Sequence, residues 1–245
     1  MVSFGPEIVF HLGPIGITNT LLNTLLVDII LIGGSLLVSK KLLLIPNFFQ
    51  SAMESIIEVF YNLTESVAQN RVTKIFPYVA TFFLFILLAN WSGLVPGVGT
   101  IGFFEDKKLV PILRSATSDL NTTLALALVS AVATHILSIK TVGIKDYLSR
   151  FFSLSPLNLF IGILEIISEI TKVISLSFRL FGNIFAGEVV LLTVSSIFAF
   201  LFPLPFLMLE VIVGAVQALV FAMLTMAFMA ILTTPHHKQK EVTTT

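Results

Sequence analysis

Glu165, Ser168, Lys172, Ser175, Arg179, Gly182 and Ala186 follow one another at alternating intervals of three and four residues. On an α-helix that spacing puts all of them on a single stripe. No large apolar residue interrupts the stripe, so another backbone can approach closely along it, with Arg179 in the middle of the contact surface. The chain around it is apolar enough to lie in lipid, where an ionisable group costs from about 2.5 to over 10 kcal/mol and so marks a site. A guanidinium does not deprotonate and cannot relay protons, but it can hold a mobile carboxylate in its ionised form. Within its own helix Arg179 has no mate. Glu165 lies about 21 Å away along the axis, and Glu188 about 13.5 Å away and roughly half a turn round. A buried charge normally pairs. The partners left within the chain are Glu210 and Asp28, and otherwise the carboxylate belongs to another subunit. Asn183, one turn beyond Arg179, can orient the guanidinium.

A second group of residues points elsewhere. Glu188 faces away from the Arg179 stripe, and Glu210 and Gln217 share a face of the following helix. Together they can line a wet path, in which carboxylates take up and release protons; for each residue alone, an interhelical hydrogen bond is the competing account. Asp119 and Asn121, at the start of another apolar run, can extend that path, although helix capping by Asp119 is the simpler reading. Asp28 and Asn90 read as interhelical bonds. Several other patterns carry nothing. Gly182 and Gly187 have the glycine spacing of a phosphate loop, but Glu188 and Val189 stand where Lys and Ser or Thr are required. His135, and His236 with His237, lack ligand spacing with carboxylates, and the chain has no cysteine, so neither a metal site nor a cofactor is expected. Gly93 and Gly97 make a GxxxG, but Pro96 falls inside it and a loop is the better reading.

The elements that position these residues follow from composition. Of 245 residues 56% are hydrophobic and 11% charged, under half the charge of about 25% usual in soluble domains. Mean hydropathy is +1.01 and the formal net charge is zero, which points to lipid as the solvent and sets nucleic acid aside. Apolar runs at 17–39, 77–95 and 119–138 each match the roughly 20 residues that a helix needs to cross the bilayer. No basic stretch precedes the first, so it is expected to be retained as a span rather than cleaved as a signal peptide. The run 157–232 is broken only by Pro203 and Pro205. Its first arm is about 60 Å of helix and its second about 43 Å, too long to stand upright, which predicts a strongly tilted antiparallel hairpin turning at the prolines. At 47–70, Phe49, Met53, Ile56, Phe60, Leu63 and Val67 form an apolar stripe opposite Gln50, Glu54, Glu58, Asn62, Glu65 and Gln69. This is an amphipathic helix in the membrane plane, and its acidic face can alternatively dock a partner's basic segment. Lys40, Lys41, Arg71, Lys74, Lys140, Lys145, Arg150, Lys238 and Lys240 collect on one side, against Lys107, Lys108 and Arg114 on the other. That bias places the N-terminus outside and the C-terminus in the cytoplasm. The fold expected is all-α and integral to the membrane: one domain of about five transmembrane helices plus the in-plane helix.

With the Arg179 stripe established, the run Ser175-Leu176-Ser177-Phe178-Arg179-Leu180-Phe181-Gly182-Asn183, followed by Ala186-Gly187-Glu188, resembles subunit a of F-type ATP synthases. The resemblance extends to Glu165 and Lys172, to Ser118-Asp119-Leu120-Asn121-Thr122-Thr123, and to Gln217-Ala218-Leu219-Val220-Phe221-Ala222. It implies the stator of a rotary motor, a subunit with no catalysis of its own. The family's essential arginine maps onto Arg179, beside a ring of subunit c whose carboxylates pass one by one. An outer half-channel would include Glu188, Glu210, Gln217, Asp119 and Asn121, and an inner one Glu165, Ser168, Lys172 and Ser175. The implied partners are the c ring, the peripheral stalk subunit b, the lipid bilayer and the transported proton, with sodium as the alternative ion. Where some members pair a Glu with a His in the outer channel, this chain has two carboxylates, Glu188 and Glu210, which should repel and split their titration. The compact length resembles bacterial members, which favours the bacterial plasma (inner) membrane over the mitochondrial inner or thylakoid membrane.

The rival readings make their own demands. A secondary transporter predicts a repeated half with broken helices in matching positions, and an intramembrane enzyme needs a nucleophile–base pair or paired aspartates at depth. The sequence supplies neither. A purely structural scaffold has no use for an arginine facing a groove of small residues.

Overall fold

A computed structural model of the chain describes residues 5–13, 15–40, 46–95, 101–105, 108–151, 156–197 and 202–234. Lys41, Pro96, Gly97, Asp106, Lys107, His236, His237, Lys238 and Lys240 lie outside the described residues, as do the side chains of Phe49 and Lys108. Helices dominate, in the order α1 (Asn19–Lys40), α2 (Phe48–Ala68), α3 (Val72–Ser92), α4 (Leu120–Val142), α5 (Ile144–Phe151), α6 (Pro156–Ile197) and α7 (Pro203–Leu232). Four helical stretches, Asn19–Lys40, Gln50–Ser92, Leu120–Val142 and Pro203–Leu232, are long and apolar enough to cross a membrane. The 42-residue α6 carries Glu165, Glu169, Lys172, Arg179 and Glu188 along its length.

Two short antiparallel hairpins, β1 (Ile8–Leu12) with β2 (Ile15–Thr18) and β3 (Gly102–Glu105) with β4 (Lys108–Pro111), add to the helices at one end of the bundle. Apart from Ile17 and Thr18 of β2, which open the run at 17–39, they fall outside the long apolar runs, where periodicity gave no element. At the same end Asn19 Nδ2 donates to the Pro111 carbonyl at 3.4 Å and Thr20 Oγ1 donates to Asp119 Oδ2 at 3.2 Å. The opposite end holds α5. There Arg71, at the α2–α3 junction, donates to Thr233 and Thr234 beyond α7. Gly162 of α6 lets the chain pass directly against the Phe151 carbonyl, a contact that any Cβ would block.

α2 and α3 are joined through a 3-10 turn at Gln69–Arg71, where Gln69 adopts φ 47° and redirects the chain. α3 begins at Val72, ahead of Pro77, which sits inside it. On α2 the face covered by the bundle is Phe60, Thr64 and Ala68, while Ile56, Leu63 and Val67 of the apolar stripe remain exposed. Thr64 tolerates burial because its hydroxyl donates to the Phe60 carbonyl at 2.7 Å.

The core forms where α3 and α7 lie together. One cluster gathers Phe60, Ile75, Val79, Leu137, Ala222, Met226 and Met229, and a second gathers Phe82, Ile86, Ala127, Leu176, Leu180, Ala218 and Phe221. Alanines at the crossings allow close approach, and hydroxyls bond across them: Ser130 to Thr225 at 2.9 Å and Thr123 to Ser177 at 3.2 Å. Asn90 on α3 ties three elements, donating to the Gly214 carbonyl at 2.8 Å and accepting from Thr117 Oγ1 at 2.6 Å. Asn90→Leu removes both of these buried hydrogen bonds, so we expect it to destabilise the subunit by about 1–3 kcal/mol. A lowered thermal midpoint of the purified complex checks this; an unchanged one means the network contributes nothing.

Candidate ion-translocation site

α6 is amphipathic in an unusual sense. Leu176, Leu180 and Ile184 form the stripe that enters the bundle, and they are almost wholly buried. One residue earlier in each turn, Ser175, Arg179 and Asn183 fall on the exposed flank. Arg179 therefore stands on the outside of the bundle. The guanidinium lies at the hydrogen-bonding limit from Ser175 Oγ, 3.5 Å, and among the described residues no carboxylate comes within ion-pair distance of it. Glu210 and Asp28, the in-chain partners that the sequence left open, do not reach it. Asn183 is not bonded to it either, because the guanidinium turns back toward Ser175, one turn earlier on the same flank.

From Arg179 a cavity of about 420 Å³ runs toward the α5 end, lined by Ser168, Lys172, Ser175, Leu224 and Phe228 among others. Lys172 Nζ sits 2.7 Å from Glu169 Oε1 and 4.7 Å from the Phe228 ring centre. Glu169 also approaches His135 Nε2 at 3.8 Å, and His135 Nδ1 meets the Tyr147 hydroxyl at 3.0 Å. Burial, reinforced by the Glu169 charge, pushes the Tyr147 hydroxyl above its ordinary value, which keeps it a neutral phenol. Glu165 is held by Arg150 of α5, Nε to Oε1 at 3.5 Å. Sequence reasoning missed Glu169 and Arg150. The i,i+3 relation of Glu169 to Lys172 was a readable signal, whereas Arg150 to Glu165 depends on how α5 folds back.

At the hairpin end the polar residues collect differently. Asp119 is buried and occupied: Oδ1 caps α4 through the Asn121 backbone N–H at 2.9 Å while Oδ2 accepts from Thr20. Capping is thus observed, as the simpler reading held, and the Asn121 side chain itself is exposed. Glu188 meets Arg114, from the segment between β4 and α4, at 3.0 Å. Glu210 lies on α7 directly over Gly187, so close that a Cβ there would come within 2.7 Å of Glu210 Oε1. Its Oε2 is buried and has no hydrogen-bond partner among the described residues. Gln217, two turns further along α7, is half-buried. Arg179 stands between the two groups, with the cavity on one side and the Glu188–Glu210 pair on the other. Among the described residues no cluster of His, Asp and Glu could hold a metal ion.

Four apolar stretches of spanning length, with charged groups aligned along one further helix, define a helical membrane protein of the ion-transporting class. The chain belongs to the ATP synthase A chain family, whose model matches residues 21–230. It is 36% identical to ATP synthase subunit a of Moorella thermoacetica over 94% of this chain and 97% of that one. It is 35% identical to ATP synthase subunit a 2 of Pelobacter propionicus over 91% and 90% of the two chains. With a Legionella pneumophila subunit a it shares 31% over 90% and 89%. Membership makes it a non-catalytic membrane subunit of ATP synthase, concerned with ion transport and ATP synthesis, and the relatives are bacterial.

Proposed function

We propose that the chain is the proton-translocating stator of the rotary complex, offering two offset half-channels to the carboxylates of a subunit c ring and separating them by Arg179. Protons enter from outside along Glu188, Glu210 and Gln217, with Asp119 and Asn121 at the mouth, and bind a ring carboxylate. The neutralised ring then turns through lipid. On its return the carboxylate meets the inner half-channel of Glu165, Ser168, Lys172 and Ser175, loses its proton and faces Arg179, whose neighbour Asn183 lines the same exposed flank. A fixed positive charge repels a proton that would bypass the ring and discourages reprotonation of the carboxylate beside it. The peripheral stalk subunit b holds the chain against the torque, in a bacterial inner membrane with the N-terminus outside and the C-terminus in the cytoplasm.

The observation that carries this reading is the exposure of Arg179 on the flank of α6 with no carboxylate among the described residues within ion-pair distance. A cation that remains unpaired at membrane depth is intelligible when a partner delivers the counter-charge. The cavity from Arg179 to Lys172 supports an inner path. Since the chain has no cysteine, single replacements Ser168→Cys and Gln217→Cys can be labelled in closed vesicles with a membrane-impermeant thiol reagent. The account expects Ser168→Cys to react from the cytoplasmic face and Gln217→Cys from the opposite face. Reaction of both from one face would mean a single continuous pore and contradict the two-channel arrangement.

A further inference from the structure

One ion pair at the hairpin end, a buried arginine on a half-buried glutamate, has no place among the residues assigned above. Arg114 is 8% exposed and grips Glu188 in a fork: Nε lies 3.0 Å from Oε1 and 3.4 Å from Oε2, and Nη2 lies 3.1 Å from Oε2. Its Nη1 donates to the Gly5 carbonyl at 2.9 Å. Both oxygens of Glu188 are therefore engaged by charge-assisted hydrogen bonds. The oxygens of Asp119 are likewise taken, by the α4 backbone and by Thr20. Glu210 differs, for its Oε2 is buried and bonded to nothing among the described residues. The acids of the outer path are thus inequivalent. A proton on Glu188 competes with the guanidinium, while Glu210 presents an open acceptor against the backbone of Gly187.

We propose that Arg114 is a positioning residue of the outer half-channel, closing Glu188 into a stationary ion pair so that Glu210 is the carboxylate that carries the proton. The inference rests on the two-channel reading and deepens it. It adds to the sequence expectation of two mutually repelling acids a cation between the loop and α6 that pairs with one of them. The two residues are 74 positions apart, which is why no local pattern announced the pair. Removing Arg114 leaves the half-buried Glu188 without its counter-charge, free to draw a proton or to swing toward Glu210.

The test is a set of variants in the assembled complex, reconstituted in vesicles and scored by gradient-driven ATP synthesis. Arg114→Gln should lower the rate about tenfold, equivalent to about 1.4 kcal/mol in the barrier. In a Glu188→Gln background the same replacement should add almost no further loss, since there is no charge left to hold. The reversed pair, Arg114→Glu with Glu188→Arg, should recover most of the rate lost by Arg114→Gln. An arginine that merely clasps the chain at Gly5 would cost the same in both backgrounds and gain nothing from reversal, and that result overturns the proposal. So does parental synthesis by Arg114→Gln. Should Arg114→Gln not assemble, Arg114→Lys keeps the charge without the fork, and its loss must likewise vanish beside Glu188→Gln. Arg179→Ala and Glu210→Gln in the same vesicles separate the levels. If both are impaired while Arg114→Gln is parental, only this inference falls; if both are parental, the two-channel reading falls and takes the inference with it.

Discussion

Arg179→Ala, in the intact complex, should reduce gradient-driven ATP synthesis by a factor on the order of 10² to 10³ or more, the range lost when a preorganised charge is removed from a site of charge development. The size of the effect follows from what the residue separates. Each proton crossing the membrane gains about 2.3 kcal/mol per 100 mV, and that energy becomes torque only if no proton can pass between the half-channels without riding the ring. Alanine keeps the groove of small side chains on α6 and removes the charge together with the rest of an exposed side chain. Because the buried stripe of Leu176, Leu180 and Ile184 faces the other way, the subunit should still fold and assemble. Arg179→Lys should not restore coupling, since an ammonium in a poorly solvated groove can give up its proton and conduct where a guanidinium blocks. Synthesis rates together with subunit content of the purified complex check both statements. A variant that assembles and synthesises ATP normally would reduce Arg179 to a packing residue.

Glu210→Gln carries the second large effect. The amide keeps the shape and fits over Gly187, but it cannot take up and release a proton, and loss of such a group costs on the order of 10² or more. Proton uptake from the outer side should slow by that factor while the membrane stays tight, because Arg179 still stands between the channels. Passive proton flux and driven synthesis measured on the same vesicles give the answer. A leaky membrane would place Glu210 at the barrier instead of in the entry path, and an unchanged rate would remove it from the path altogether.

Much of this arrangement was legible in one sequence, for definite reasons. Long apolar runs announce helices because lipid offers the backbone no other partner, and α1, α4 and α7 follow from that rule alone. The three-and-four spacing from Glu165 to Ala186 announced the exposed stripe of α6, since the helical period fixes which side chains share a face. Less could be read where order depends on remote contacts. The β-hairpins are four or five residues per strand, too short for periodicity to register, and α5 is a short amphipathic turn of chain pressed against Gly162. The pairs Arg114–Glu188 and Arg150–Glu165 join residues that only the folded bundle brings together. On α2 the hydrophobic stripe indicated an amphipathic helix, but which flank faces the bundle goes with tertiary contacts such as Phe60 against Phe83, tilted rings with centres 4.3 Å apart, which no local pattern specifies. Arg179 and Asn183 illustrate the remaining gap. They are one turn apart, yet the guanidinium reaches Ser175, on the turn before, and spacing alone does not say which of the two neighbours it takes.

The counter-charge of Arg179 is expected to arrive on another subunit. A density map of the assembled complex, resolving side chains at the face of α6, tests it most directly. The account predicts a ring carboxylate opposite residue 179, within about 4 Å of the guanidinium or joined to it through water. A guanidinium in a settled ion pair with an acid of its own chain, or one turned toward acyl chains with no ring carboxylate near it, would contradict the account.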